Sequence, residues 1–267
     1  MDLLPIFLGL VGLAMGSFVD ALVWRLKNKK DFVADRSECE SCHHKLGVKD
    51  LVPVISWLSL GGKCRYCGKK ISTVSPVIEL SMGALFVLSY FFWPLGFDQW
   101  QAVASFVIWL IYLVLLTALF VYDLRWMLLP DKLVFPLITL GLVDAGLRVS
   151  LMPGTNYIFY VLSGVTAIAG FYGLLYFFSK GKWVGFGDVK LSIFIGAVLG
   201  WQKAIMVLLF SNVIGFLYVV PGLALGKLNR KSRIPFGPFL IIAFFIAGLF
   251  GDIILNWYIY ELLLVGV

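Results

Sequence analysis

Histidine is nearly absent: the chain holds two, His43 and His44, side by side in its first polar loop. With none in the apolar segments, a Ser-His-Asp arrangement within a membrane is excluded, and so is a His-rich metalloprotease site. Charge is scarce as well. Only 14% of the 267 residues are charged, against roughly one quarter in soluble domains. Cysteine occurs four times, always between residues 39 and 67. No internal repeat and no low-complexity tract is visible. The first apolar run, Leu3 to Leu26, has no basic stretch ahead of it and no small-residue cleavage site before the basic stretch that follows. It reads as a retained helix and not as a signal peptide.

Apolar residues fill the space that charge leaves, at 61% of the chain. Their runs predict spans near 3–26, 74–93, 101–122, 133–151, 157–178, 189–200, 203–225 and 236–266. The sixth is short of the ~20 residues a full crossing takes, and the last has a potential break at Gly251-Asp252. The expectation is an all-α polytopic membrane protein of about eight transmembrane helices carrying one small soluble module. Its predicted parts are a first helix (1–26), a four-cysteine module (27–73) and a transmembrane core (74–267). Pro94-Leu95-Gly96 and Met152-Pro153-Gly154 read as short turns between spans.

The formal net charge of +7 is unevenly placed. Of 22 lysines and arginines, twenty fall in the segments 25–70, 123–132, 180–190 and 227–233, and the alternate loops hold only Arg148 and Lys203. The positive-inside rule then puts the N-terminus outside and the large first loop in the cytoplasm, together with Asp123, Asp131 and Asp188. Topology and contact with anionic headgroups account for the basic residues. Nucleic acid is not an expected partner; membrane lipid is.

Cys39-x-x-Cys42 and Cys64-x-x-Cys67 are separated by 21 residues. Each turn presents two thiolates to one ion, and two turns complete a tetrahedral site that suits zinc. A cytoplasmic placement disfavours disulfides, and a thioredoxin-like role needs a βαβ setting that is absent. A closed four-sulfur site leaves no open position for water, so the metal is expected to be structural. Lys63, Arg65 and Lys69 are placed to offset the thiolate charge. His43 and His44 read as solvated loop residues. Glu79, early in the second span, reads as a carboxylate reaching for the interface.

Carboxylates are the remaining candidates for chemistry. Asp188 lies in Gly185-Phe186-Gly187-Asp188, where a basic loop meets an apolar run. Asp123 ends another apolar run. An ionised Asp at a membrane boundary is costly unless paired or used. Two on one side can share a water and a proton, the requirement of an aspartyl protease. Gly185 and Gly187 would let a strand approach Asp188 and permit positive φ, and Lys190 would support a carboxylate or bind headgroups. The structural alternatives are an N-cap role for Asp188 and pairing of Asp123 with Arg125. Asp131, after Pro130, competes with Asp123 as the second carboxylate. The prolines of Ile234-Pro235-Phe236-Gly237-Pro238-Phe239 fit either an ordinary helix start or a shaped wall beside a cavity.

Taken in order, these segments resemble the type IV prepilin leader peptidases, bifunctional peptidase/N-methyltransferases of the bacterial inner membrane within the Gly-x-Gly-Asp aspartyl proteases. The resemblance spans nearly the whole chain. It is carried by Gly16-Ser17-Phe18-Val19-Asp20, where Asn is commoner last, and by the C-x-x-C pairs, where Glu40 replaces a usual proline. It continues through Pro53-Val54-Ile55-Ser56-Trp57-Leu58 and Ser75-Pro76-Val77-Ile78-Glu79-Leu80. Asp123-Leu124-Arg125, Leu129-Pro130-Asp131, Gly185-Phe186-Gly187-Asp188-Val189-Lys190-Leu191 and the 234–239 segment complete it. The resemblance implies that Asp123 and Asp188, not Asp131, are the catalytic pair. It implies type IV prepilins or pseudopilins as substrates, cut after a Gly on the cytoplasmic face, and N-methylation of the new terminus by S-adenosylmethionine. The competing functions are a presenilin-like protease, a carboxylate-dependent transporter and a non-enzymatic zinc-bearing assembly protein. The zinc loop, the span-end position of both Asp residues and the pair itself speak against them in turn.

Overall fold

In the computed structural model the described residues, 3–31, 37–152, 154–229 and 232–258, are helical with no strands. The helices are α1 (Leu4–Lys27), α2 (Ile55–Ser59), α3 (Val74–Phe91), α4 (Trp100–Trp126), α5 (Asp131–Ser150), α6 (Tyr157–Val165), α7 (Phe171–Ser179), α8 (Phe186–Ala224) and α9 (Gly237–Trp257). A π-helical turn, Thr166–Gly170, joins α6 to α7, so Tyr157–Ser179 acts as one span. Among the described residues, seven helices are long and apolar enough to cross a membrane. The chain divides into two compact units, Met1–Phe91 with Leu110–Val121, and Phe92–Trp109 with Tyr122–Val267.

In the first unit α1 packs on α3 through glycine. A Cβ on Gly12 would lie 2.7 Å from the Met82 carbonyl oxygen, and one on Gly16 would lie 2.5 Å from the Glu79 Cα. Apolar tails do not drive helices together in lipid, so close backbone approach must do so. Glu79 does not reach for the interface as expected: it is buried. Its Oε2 accepts the Val54 N–H at 2.7 Å. Val54 sits at φ 61°, ψ −49°, in a γ-turn closed by Ile55 N–H to Pro53 O at 2.6 Å. A β-branched residue there costs about 1–3 kcal/mol, and the charge-assisted bond from Glu79 holds it. Beside it, the Ser75 hydroxyl donates to Asp20 Oδ2 at 2.5 Å.

The second unit explains the expected eighth pass. At 39 residues, α8 would be about 58 Å long if straight, nearly twice the ~30 Å hydrocarbon core. It is not straight. Gly200 is non-helical at φ 70°, ψ 175°, a conformation that strains any residue with a Cβ. The Tyr160 hydroxyl bonds Val198 O, Gly173 faces Val189, and Tyr172 meets Ser211. Moving from Tyr160 to Tyr172 therefore goes down the first half of α8 and up the second. The chain folds back at Gly200, and the spans read as 189–200 and 203–225 are the two arms. Gly164 and Gly196 cross so closely that a Cβ on Gly164 would lie 2.1 Å from the Gly196 oxygen. Trp109 lies over Gly248, inside a cluster with Trp93, Phe106 and Phe244.

Two readings change at the C-terminal end. α9 runs through Gly251-Asp252 without a break; the predicted remainder of that span, 259–266, lies outside the described residues, as does Pro153 of the expected 152–154 turn. Residues 232–235 are non-helical, and α9 then starts at Gly237 with Pro238 in its first turn, where a missing N–H costs nothing.

Gly164→Ala is expected to destabilise the protein by about 1–3 kcal/mol, the usual cost of forcing a methyl into a filled contact. Gly170→Ala, whose Cβ meets open space, should be near neutral. Thermal unfolding of both variants in detergent checks this, and equal melting temperatures would refute the backbone crossing.

Candidate active site

α8 begins where Gly185, extended at φ −75°, ψ 149°, releases the chain into a helix. Asp188 is the third residue of that helix and not its N-cap. Its Oδ2 accepts the Gly185 N–H at 3.1 Å, and its carboxylate lies where unpaired N–H groups favour negative charge. Ser192 donates to the Asp188 backbone oxygen at 2.8 Å. Asp123 lies in the last turn of α4, which Met127 ends in the left-handed region at φ 53°. The Gly237 backbone N–H, at the start of α9, bonds the Asp123 carboxylate. Each Asp is thus held by the N-terminus of a helix. Both are buried, at 4% and 8% exposure, and the charge of Asp123 acts on Asp188.

The glycines make room for neighbours inside the protein. Neither Gly185 nor Gly187 adopts positive φ, so that expectation is overturned. A Cβ on Gly187 would lie 3.0 Å from Leu129 Cβ, and one on Gly237 would lie 3.3 Å from Leu129 Cδ2 and 2.7 Å from Asp123 Oδ2. Leu129 is wedged between the two glycine backbones next to the Asp123 carboxylate. Behind them, Asn212 Nδ2 donates to the Tyr172 hydroxyl at 3.0 Å, and that hydroxyl contacts Ser211 Oγ, also at 3.0 Å. The Tyr172 ring packs on Phe236. Tyr172, Ser211 and Asn212 were not candidates from sequence chemistry, because single residues in apolar runs carry no pattern, whereas Leu129 and Gly237 lie in the 129–131 and 234–239 segments already singled out.

Asp131 lies elsewhere. It is the first residue of α5, exposed, and its Oδ1 accepts from Lys190 Nζ. Lys190 also lies over the rings of Phe135 and Phe186. The structure therefore bonds Lys190 to Asp131 and places Asp123 where its charge acts on Asp188.

In the first unit the four thiol sulfurs of Cys39, Cys42, Cys64 and Cys67 lie within 4.8 Å of one another, and they can hold a metal ion. The two turns are built alike. Cys39 N–H bonds His44 O and Cys64 N–H bonds Lys69 O, while His43 N–H bonds Cys39 O and Gly68 N–H bonds Cys64 O. His43 and Gly68 occupy the same left-handed position, φ 55° and 69°. The imidazoles turn away from the sulfurs: His43 Nδ1 faces Glu38 at 3.6 Å, and His44 stacks on Tyr66. Arg65 does not serve the thiolates, as was expected. Its Nε donates to Asp50 Oδ1 at 2.7 Å, and this bond holds the Asp50 carboxyl below the usual range.

A polytopic helical protein with paired, buried carboxylates and a four-cysteine module defines a class, and comparison with known proteins narrows it. Residues 10–93 match the Bacterial Peptidase A24 N-terminal domain, and residues 110–220 match the Type IV leader peptidase family. The chain is 33% identical to a prepilin leader peptidase/N-methyltransferase of Stutzerimonas stutzeri over 91% of its length and 89% of the relative's. A Legionella pneumophila protein of the same name is 33% identical over 94% and 93%, and one from Bacillus subtilis (strain 168) is 30% identical over 93% and 95%. The chain belongs to the type IV leader peptidase family. No solved structure matches it.

Gly237→Ala places a methyl 2.7 Å from Asp123 Oδ2 and must displace that carboxylate. Chemistry that depends on Asp123 should fall by about 10²-fold, the usual effect of a ~1 Å misplacement. The melting temperature should shift by only a few degrees. Parallel rate and unfolding measurements check this; an unchanged rate would remove Asp123 from the chemistry.

Proposed function

We propose that this protein is a prepilin leader peptidase and N-methyltransferase in which Asp123 and Asp188 are the catalytic pair. The observation that carries the reading is the pair itself: two buried carboxylates, each met by a glycine N–H at a helix start, with the charge of one acting on the other. Like charges that close share a proton. The ionised member takes a proton from water as the water attacks the peptide carbonyl. The protonated member donates to the carbonyl oxygen, and a proton then passes to the leaving amine as the C–N bond breaks. The pair titrates as a unit, so base and acid are roles of the dyad.

Type IV prepilins or pseudopilins are the substrates in this reading. The leader is removed after a Gly at the cytoplasmic face of the bacterial inner membrane, and the N-terminus of the chain lies outside. The support is the clustering of Arg125, Lys132, Lys180, Lys182 and Lys190 around the helix ends that carry the two Asp residues. The division of labour is a first helix (1–26), a cysteine module (27–73) and a core (74–267) holding Gly185 and Gly187 at the pair, with Lys190, two residues beyond Asp188, bonded to Asp131. Cys39, Cys42, Cys64 and Cys67 hold structural Zn²⁺. Four sulfurs around zinc at ~2.3 Å stand ~3.8 Å apart, and Cys39 and Cys67 are at 3.9 Å. S-adenosylmethionine supplies an electrophilic methyl group to the new terminal amine.

Asp123→Asn and Asp188→Asn should each lower leader removal by at least about 10²-fold, the lower range for losing general acid–base catalysis. Asp131→Asn should stay within a few-fold. The assay is cleavage of a leader-bearing prepilin in membranes, with mass spectrometry of the processed terminus for one added methyl group. Wild-type cleavage by either of the first two variants overturns the assignment. Separately, Cys64→Ser should lose the bound metal by elemental analysis; zinc retained in full would place it elsewhere.

A further inference from the structure

Arg148 and Lys203 are the two basic residues that depart from the charge asymmetry of the chain. They do not lie apart. The second unit brings them to one cavity of about 470 Å³, formed where α5 ends, α6 begins and α8 turns at Gly200. That volume is typical of small-ligand sites. The cavity is far from the carboxylate pair: twelve residues of helix, about 18 Å, separate Asp188 from Gly200.

Its walls carry both signs of charge. Arg148 is buried, its Nε donates to the fully buried Asp144 at 2.8 Å, and its guanidinium lies over the Trp93 ring. Lys203 Nζ donates to Asp252 Oδ2 at 2.8 Å, and Asp252 remains half exposed. Arg148 and Lys203 are near enough for their charges to act on each other. The base of the cavity is rigid, because the Tyr160 ring packs on Gly200 and its hydroxyl is fixed to Val198 O at 2.9 Å. At the rim, Phe159 and Trp201 expose large apolar surfaces. Ionisable groups at the ends of membrane helices are costly, and buried ion pairs stabilise little compared with apolar packing. Arg148, Lys203 and Asp252 facing one cavity therefore call for a ligand.

We infer that this cavity binds the phosphoethanolamine headgroup of a membrane phospholipid. The phosphate faces Arg148 and Lys203, the ammonium faces Asp252, and the acyl chains leave past Phe159 and Trp201. Charge complementarity selects this occupant. A phosphatidylglycerol headgroup offers Asp252 no cation, and a choline headgroup offers it no N–H donor. An arginine fork can hold a carboxylate and a phosphate oxygen together. The inference rests on neither the Asp pair nor the leader-peptidase reading.

The test is native mass spectrometry of the full-length protein in detergent with phosphatidylethanolamine, phosphatidylglycerol or phosphatidylcholine of matched chains. Phosphatidylethanolamine should be retained at least about fivefold over the others. Lys203→Gln should reduce its retention about tenfold, the effect of one charge-assisted hydrogen bond, and Lys203→Arg should restore it. Asp252→Asn, at a half-exposed position, should bring the preference over phosphatidylglycerol close to one. Equal retention of the three lipids, a preference for phosphatidylglycerol, or an ethanolamine preference that survives both Lys203→Gln and Asp252→Asn overturns the site. Soluble glycerophosphoethanolamine should compete only at much higher concentration; competition at the lipid's own concentration would make the ligand a free phosphate ester and overturn the lipid assignment.

Discussion

A carboxylate removed from water must be given donors, and the architecture of the second unit follows from that requirement. Asp188 is met by the Gly185 N–H at the start of α8, and Asp123 by the Gly237 N–H at the start of α9. Unsatisfied amides at a helix start suit a negative charge without adding a cation. A cation placed there would ionise both carboxylates and remove the shared proton on which a dyad depends. Lys190 has the sequence position to do so, but it is committed to Asp131. The Asp131 pair thus engages the lysine two residues beyond Asp188.

Bringing two helix starts to one point demands tight packing elsewhere. The Gly164–Gly196 crossing draws α6 against the first arm of α8, and the reversal at Gly200 lets one apolar stretch supply both arms. Leu129 fills the space between Gly187 and Gly237, which keeps the carboxylates in low dielectric. The same reversal creates the charged cavity at the far end of the unit. One glycine with an unusual φ therefore shapes both ends of the helix pair.

Much of this was legible in residue order. Apolar run lengths predicted the helices, and the C-x-x-C spacing predicted a four-sulfur cluster, because both depend on local geometry that spacing specifies. Glu79 and Arg65 were misread for a shared reason. Each has a partner remote in sequence, Val54 and Asp50, and a charged side chain considered alone looks solvated. The positive φ expected of the Gly-x-Gly-Asp glycines is absent: Gly187 accommodates Leu129 and Gly185 bonds Asp188, tasks that need none.

The sequence by itself determined the class of molecule, the four-cysteine module and the candidates for chemistry. All of these follow from composition and short-range spacing. Only the tertiary structure decided where Lys190 goes, that Gly237 meets Asp123, and that Arg148 and Lys203 share a cavity. Those choices depend on where helix ends meet, and a helix end meets its neighbours through side-chain packing over distances that no local pattern encodes.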